Sequence, residues 1–249
     1  MDFESFTNAP LEMVEFTLWW HVGSQLAFQR SENFMKKMIS DVTDIFEENF
    51  SVGQAFPEFN PPISPFTKHE FIGAQHPNLR MMLTNEALVI NHSKNDYNWS
   101  NLEAILSTVL EKALVNLTKF FNDIDHIHLA LQYENFIEFS IDSEEPQEFI
   151  NSNFNATFNL NGVSDPPKVK SIGYLTKYDF EDEGSLQVLF SDETIRTKKG
   201  IHIKLRADSK KESLDHSEIM KWALSSRENC YKIFSEVCSE ELIKSFNDV

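Results

Sequence analysis

The sequence predicts an α+β fold, with mainly antiparallel sheets packed against three main helices. Three observations predict it. Short segments of apolar/polar alternation, separated by turn residues, recur through most of the chain. Three longer stretches change to the i, i+3, i+4 period of an amphipathic helix. The strands come in runs, each followed by a long helix, instead of alternating with helices one to one. With 22 phenylalanines in 249 residues, each worth about 1.5–3 kcal/mol when buried, the chain can enclose a sizeable core without disulfides or metal.

Leu11 to Trp20 alternates, with Val14, Phe16, Leu18 and Trp20 on one face and Glu15 and Thr17 on the other, which predicts a half-buried strand. From Ser31, placed as N-cap, the residues Phe34, Met35, Met38, Ile39, Val42, Ile45 and Phe46 follow the helical period. Gly53 to Thr67 carries Pro57, Pro61, Pro62 and Pro65 and is expected to be a long extended loop. Strands follow at His69–Gln75, Leu79–Leu83 and Ala87–His92, the last two joined by a tight turn at Thr84-Asn85-Glu86. Ser100-x-x-Glu103 reads as a capping box opening a long helix, with Leu102, Ile105, Leu106, Val109, Ala113, Leu114, Leu117 and Phe121 on its apolar side.

A long strand is expected over His126–Ile141. Its phase blurs at Glu134-Asn135-Phe136, where a bulge would restore register. The stretch Asp142–Asn153 is polar, acidic and interrupted by Pro146, and is the one candidate boundary. Beyond it, strands are expected at Phe154–Asn161, Ile172–Phe180, Leu186–Phe190 and Ile201–Ala207, each with one wet face. Asp215-x-x-Glu218 caps a long helix through Ile219, Ala223, Ser226, Cys230, Ile233 and Val237, and Ser239 caps a short final one. Each half thus runs strands and then a helix. The expected organisation is a single α+β domain over 1–249, with similar sub-halves 1–141 and 153–249.

The seven glycines, at 23, 53, 73, 162, 173, 184 and 200, never fall within five positions of each other. A dinucleotide fingerprint, a phosphate-binding loop and a G-x-S-x-G elbow all need closer pairs, so all are excluded. HExxH and CxxC are absent. Cys230 and Cys238 lie on one predicted helix, about 12 Å apart, too far to bridge. They suit a reducing compartment. The acidic Met1–Ser5 segment has no apolar core of a secretory signal, and no apolar run is long enough to span a membrane. The expected location is therefore cytoplasmic. A net charge of −17 argues against nonspecific nucleic-acid affinity and favours encounter with basic partners.

Several groups of residues carry chemistry. His126 and His128, two apart on a strand, have the spacing of a metal-binding pair, with His202, His69 and Glu134 as candidates for a third ligand. The plainer reading is a wet strand face, and no resident cofactor or metal is expected. Tyr133 and Asn135 flank the blurred register and suit a small polar ligand. Arg196, Lys198, Lys199, Lys204, Arg206, Lys210 and Lys211 form the strongest basic segment, with His202, Lys204 and Arg206 on one face. That face suits an anion, or else neutralises acidic neighbours across the sheet. No aromatic residues interleave it, as a nucleic-acid stacking platform requires. The carboxylates of Glu144-Glu145 and Glu181-Asp182-Glu183 fall in expected turns, which do not raise a pKa for acid catalysis.

Asn8-Ala9-Pro10-Leu11, followed by Val14 and Phe16, resembles the opening of a sporadically distributed, uncharacterised bacterial protein family of about this length. Leu131-Gln132-Tyr133-Glu134-Asn135-Phe136-Ile137 is similar to that family's L-R-Y-x-N-x-I central strand. Leu214-Asp215-His216-Ser217 through Phe234 and Ser239-Glu240-Glu241 look like its helical ending. Gln132 stands where the family carries arginine, and His216 follows Asp215 directly instead of some residues later. The resemblance implies no activity. The family's patchy distribution resembles that of mobile-element and phage-defence genes.

These readings converge on a non-enzymatic cytoplasmic interaction protein, a partner or neutraliser of a basic protein in a bacterial defence or toxin-related system. One alternative is a small-ligand sensor for an anion or nucleotide, built from Tyr133, Asn135, Lys204 and Arg206. A second is a metal-dependent hydrolase using His126 and His128. Exposed strands and abundant phenylalanine also permit a homodimer.

Overall fold

The computed structural model describes residues 10–21, 27–49, 69–84, 86–93, 97–121, 124, 126–138, 146–155, 173–180, 184–195, 197–211 and 214–246. Along the chain run β1 (Leu11–Trp20), α1 (Ala27–Val42), β2 (Phe46–Asn49), β3 (His69–Gly73), β4 (Leu79–Leu83), β5 (Ala87–Ser93) and α2 (Trp99–Phe120). They are followed by β6 (Ile127–Glu138), α3 (Pro146–Asn153), β7 (Gly173–Phe180), β8 (Gly184–Ile195), β9 (Lys198–Lys211), α4 (His216–Val237) and α5 (Glu240–Ser245). The fold is α+β. Among the described residues, nine strands form one antiparallel sheet in the order β2-β3-β4-β5-β1-β6-β9-β8-β7.

Two compact units divide the chain. The first comprises Met1–Met13, Gln132–Ala207 and Leu224–Val249; the second comprises Val14–Leu131 and Asp208–Ala223. Each is assembled from segments distant in sequence. Their borders run through β1, β6, β9 and α4, whereas the polar stretch 142–153 falls inside the first unit.

In the second unit, Val14, Phe16 and Leu18 of β1 are fully buried. Trp20 meets Phe34 of α1 edge-on at 5.3 Å, and Phe34 in turn lies 5.7 Å from Phe121. Such ring pairs add about 0.5–1.5 kcal/mol beyond area burial. α2 buries Leu102, Leu106, Val109, Ala113, Leu114 and Leu117, the face its period predicts. Its cap lies two residues earlier than expected: Asn98 accepts from the Asn101 N–H at 3.0 Å. Both Asn98 and Ser100 are capping residue types, and the buried Trp99 draws the helix start forward. α1 likewise begins before Ser31, which lies inside the helix and is buried. It ends at Val42, because Phe46 belongs to β2, whose Phe46 pairs with Gly73. α1 is tied to α2 where the buried Asn116 donates to Asp41 Oδ2 at 2.9 Å.

In the first unit, α3 occupies most of the stretch 142–153 that the sequence offered as a candidate boundary. Pro146 opens it as its first residue, where a missing N–H costs nothing and the fixed φ favours the helix. Phe154, expected to start a strand, instead forms an isolated bridge with Cys238 and packs edge-on to Phe190 of β8 at 5.4 Å. Asn155 Nδ2 donates to the carbonyls of Glu236 and Cys238, closing the C-terminal end of α4. At the other end of α4, which belongs to the second unit, the Glu218 N–H donates to Asp215 Oδ1 at 3.0 Å, as the capping box predicts. Ser239 caps α5 through the Leu242 N–H.

From Leu131 onward β6 keeps strict alternation. Tyr133, Asn135 and Ile137 are buried, while Gln132, Glu134, Phe136 and Glu138 face the other way. The expected bulge is therefore replaced by a polar residue on the buried face. Neither polar atom of the Asn135 side chain has a hydrogen-bond partner among the described residues. Gly184 turns β7 into β8 with φ 106°, a conformation that suits glycine. The loop at 53–67, most of the strand expected at 154–161, and the turns containing Glu144, Glu145 and Glu181–Glu183 lie outside the described residues. Among the described residues, no helix is long and apolar enough to cross a membrane.

Candidate functional site

Among the described residues, a dense group of ionisable side chains lies in the first unit, where β6, β9 and β8 run side by side. Its placement follows from period-two alternation. Ile201, Ile203, Leu205 and Ala207 of β9 point into the buried face. His202 and Lys204 therefore share the opposite face with Glu134 of β6 and Glu193 of β8.

His202 Nδ1 lies 3.1 Å from Glu193 Oε2, and its Nε2 lies 3.5 Å from Glu134 Oε2. Lys204 Nζ reaches the other Glu134 oxygen at 2.8 Å, as does Gln132 Nε2. Ser191 donates to Glu193 Oε1 at 2.9 Å. At one end of the row, Lys198 pairs with Glu138 at 2.6 Å. Gly200 allows this close approach: a Cβ there would stand 2.5 Å from the Ile137 carbonyl oxygen and from the Phe136 ring.

His202 is only 7% exposed. Its hydrogen bond to Glu134 raises its pKa against the opposing cost of burial, and Glu193 adds to the rise. Glu134 is held down at about 2, by the His202 hydrogen bond first and then by Lys204, which together outweigh burial. For Glu193 burial works upward, but the bonds from His202 and Ser191 prevail and lower its pKa. The result is two carboxylates facing the His202 ring, whose protonated form they favour, and the Lys204 ammonium. With both ring nitrogens turned to carboxylates, His202 offers no lone pair as a general base.

The four residues expected to bind a ligand do not gather on one face. Tyr133 and Asn135 point into the buried side of β6, whereas Lys204 is committed to Glu134 on the other side. Arg206 follows Lys204 along the same face of β9 and is half-buried. His126 and His128 stand edge-on with ring centres 5.1 Å apart. Of the third ligands considered, His202 and Glu134 are bound to each other, and His69 stacks on Phe71. Among the described residues, no three His, Cys, Asp or Glu side chains are grouped to hold a metal ion.

One contact between distant elements was not foreseen. His216, at the start of α4, approaches Ser107 of α2, with Nε2 3.0 Å from the Ser107 carbonyl oxygen and 3.2 Å from its hydroxyl. A nitrogen that donates to a carbonyl cannot also take the hydroxyl proton, so the pair clasps two helices and does not form a nucleophile and base. The sequence did indicate the face shared by His202 and Lys204. Neutralisation by acidic neighbours across the sheet was one of its readings, and Glu193 meets His202 in that way; it did not indicate that Glu134 of β6 would close from the other side.

No family model matches the chain, and no curated protein does. Among solved structures, a type VI secretion system protein of Pseudomonas aeruginosa aligns over 78% of this chain and 68% of its own, at 10% identity and a TM-score of 0.26. A likeness that low carries no argument about fold or function.

Proposed function

We propose that this chain is a non-enzymatic binding protein of the cytoplasm that engages a basic protein partner. One observation carries the reading. The chain has a net charge of −17, while Lys198, Lys204 and His202 of its most basic strand are taken up by Glu138, Glu134 and Glu193. Three of the strand's basic side chains are thus neutralised within the fold, and the acidic surplus of the whole chain remains to steer a cationic partner. The setting, neutralisation of an effector or toxin in bacterial defence, is what the resemblance to the sporadic bacterial family implies.

The test is affinity capture from the native host at about 50 mM and about 500 mM salt, with mass spectrometry of what co-elutes. A stoichiometric basic protein is expected at low salt and is released at high salt. A complex indifferent to salt, or recovery of the chain alone, removes the reading. The anion-sensor alternative is weaker, because Lys204 is already neutralised and Tyr133 and Asn135 lie on the opposite face. A nucleotide at 100 times its dissociation constant would add about 2.7 kcal/mol of stability if that alternative held.

A further inference from the structure

The described histidines divide by what their ring nitrogens meet. His202 stands between two carboxylates, His216 approaches Ser107, and His92 Nδ1 lies 2.7 Å from the Ser93 carbonyl oxygen. His126 and His128 differ. Among the described residues neither ring makes a hydrogen bond or an ion pair, and the two rings stand next to each other. Ile127 between them is fully buried, so alternation turns both histidines to the opposite face as the chain enters β6. His128 is exposed and His126 half-buried. Two imidazoles held side by side on a strand with open nitrogens make a chelating pair, preorganised by the backbone between them.

We infer that His126 and His128 together bind one divalent transition-metal ion of the zinc and copper class. A ligating imidazole nitrogen lies about 2.0–2.1 Å from such a metal, which puts the ring centre about 3.2 Å away. Ring centres 5.1 Å apart then subtend about 105° at a shared metal, close to the tetrahedral angle, once each ring turns about its side-chain bonds to aim a nitrogen there. The ring planes cross at 83°. Coordination accommodates this, because it fixes the direction of each metal–nitrogen bond and leaves the ring free to turn about it. Neutral imidazole selects zinc, copper or nickel, whereas magnesium and calcium take oxygen ligands. The pair supplies two ligands and water takes the other positions, so the ion is exchangeable, unlike that of a closed four-ligand site. The inference needs neither the acidic surplus nor a second protein, so it stands or falls apart from the basic-partner reading.

The test is calorimetric titration of the full chain, first stripped with a chelator, with zinc, copper(II) and magnesium chlorides up to about 1 mM. One equivalent of zinc or copper is expected to bind with a Kd of about 100 μM or below, copper the tighter, and magnesium is expected not to bind. His126→Gln and His128→Gln each break the chelate and weaken zinc binding at least about tenfold. His76→Gln, between β3 and β4, leaves it unchanged. Circular dichroism establishes that the variants fold. A second measurement needs no variant: in histidine-ring NMR of the parent chain, zinc is expected to shift the His126 and His128 resonances together. Absence of saturable zinc or copper binding below about 1 mM overturns the inference. So does zinc binding that survives both substitutions, or zinc shifts confined to other histidines.

Discussion

The β4–β5 hairpin and the β7–β8 hairpin are fastened to their surroundings by different forces. In β5 the residues Leu88 and Ile90 are fully buried on one face, opposite Leu83 and Met81 of β4, and Ala87 and Val89 are buried on the other, where Val89 opposes Met82. That hairpin is held by apolar contact on both sides. β8 buries Leu186, Val188 and Phe190 on one face only. On its other face Glu193 is joined through His202 to Glu134, so an ionic clasp ties β8 across β9 to β6. Apolar fastening is nearly indifferent to pH, whereas a clasp of titrating groups is not.

The largest effect should come from the apolar hairpin. Ile90→Ala removes a fully buried side chain from a central strand and is expected to cost about 2–5 kcal/mol in urea unfolding. His202→Ala comes next. It leaves Glu134 and Glu193 facing each other without the imidazolium, at a cost of about 1–3 kcal/mol. Hydrogen exchange should then quicken in β8 and β9 and stay unchanged in β4 and β5. Loss of protection in both hairpins would show that the clasp is not local.

Titration sharpens the same contrast. The pKa of His202 is raised by folding, so its contribution is complete below its ordinary value of 6.5 and is lost as pH rises through the folded value. Glu134 is lowered from 4.5 to about 2, so its contribution is complete above 4.5 and is lost as pH falls toward 2. Thermal melts from about pH 2 to 9 should peak between those ordinary values. His202→Gln should flatten the alkaline side of the curve.

Two smaller effects remain. Asn135→Val removes a fully buried amide that has no hydrogen-bond partner among the described residues, and should add about 1 kcal/mol of stability. Leu175→Ala, on exposed β7, should change monomer stability by no more than about 0.5 kcal/mol.

What the sequence revealed of this fold follows the range of the forces involved. The β4 bounds, the apolar face of α2 and the caps at Asp215 and Ser239 are set within a few residues, and each stands where expected. α3 was hidden because Pro146 breaks a helix anywhere but at its first turn, where it in fact stands. β2 was hidden because Phe46 happened to continue the apolar period of α1. Asn135 suggested a bulge because alternation leads one to expect an apolar residue at a buried position, and this strand tolerates an exception. The clasp was half legible. Alternation placed His202 and Lys204 together, but their carboxylates come from strands whose neighbours are fixed only by the order of the whole sheet. Local pattern carries no information about that order.

Cys230 and Cys238 give the C-terminal segment two internal clocks. Both thiols are free and buried, and burial pushes their pKa upward, so neither presents a reactive thiolate while the surrounding structure is closed. Labelling by a thiol reagent must then wait for the chain to open. Cys230 reports on the middle of α4, and Cys238 on the joint between that helix and α5, where it meets Phe154. Two labelling rates that differ would time separate opening events at sites eight residues apart, whereas a shared rate would mark a single cooperative one.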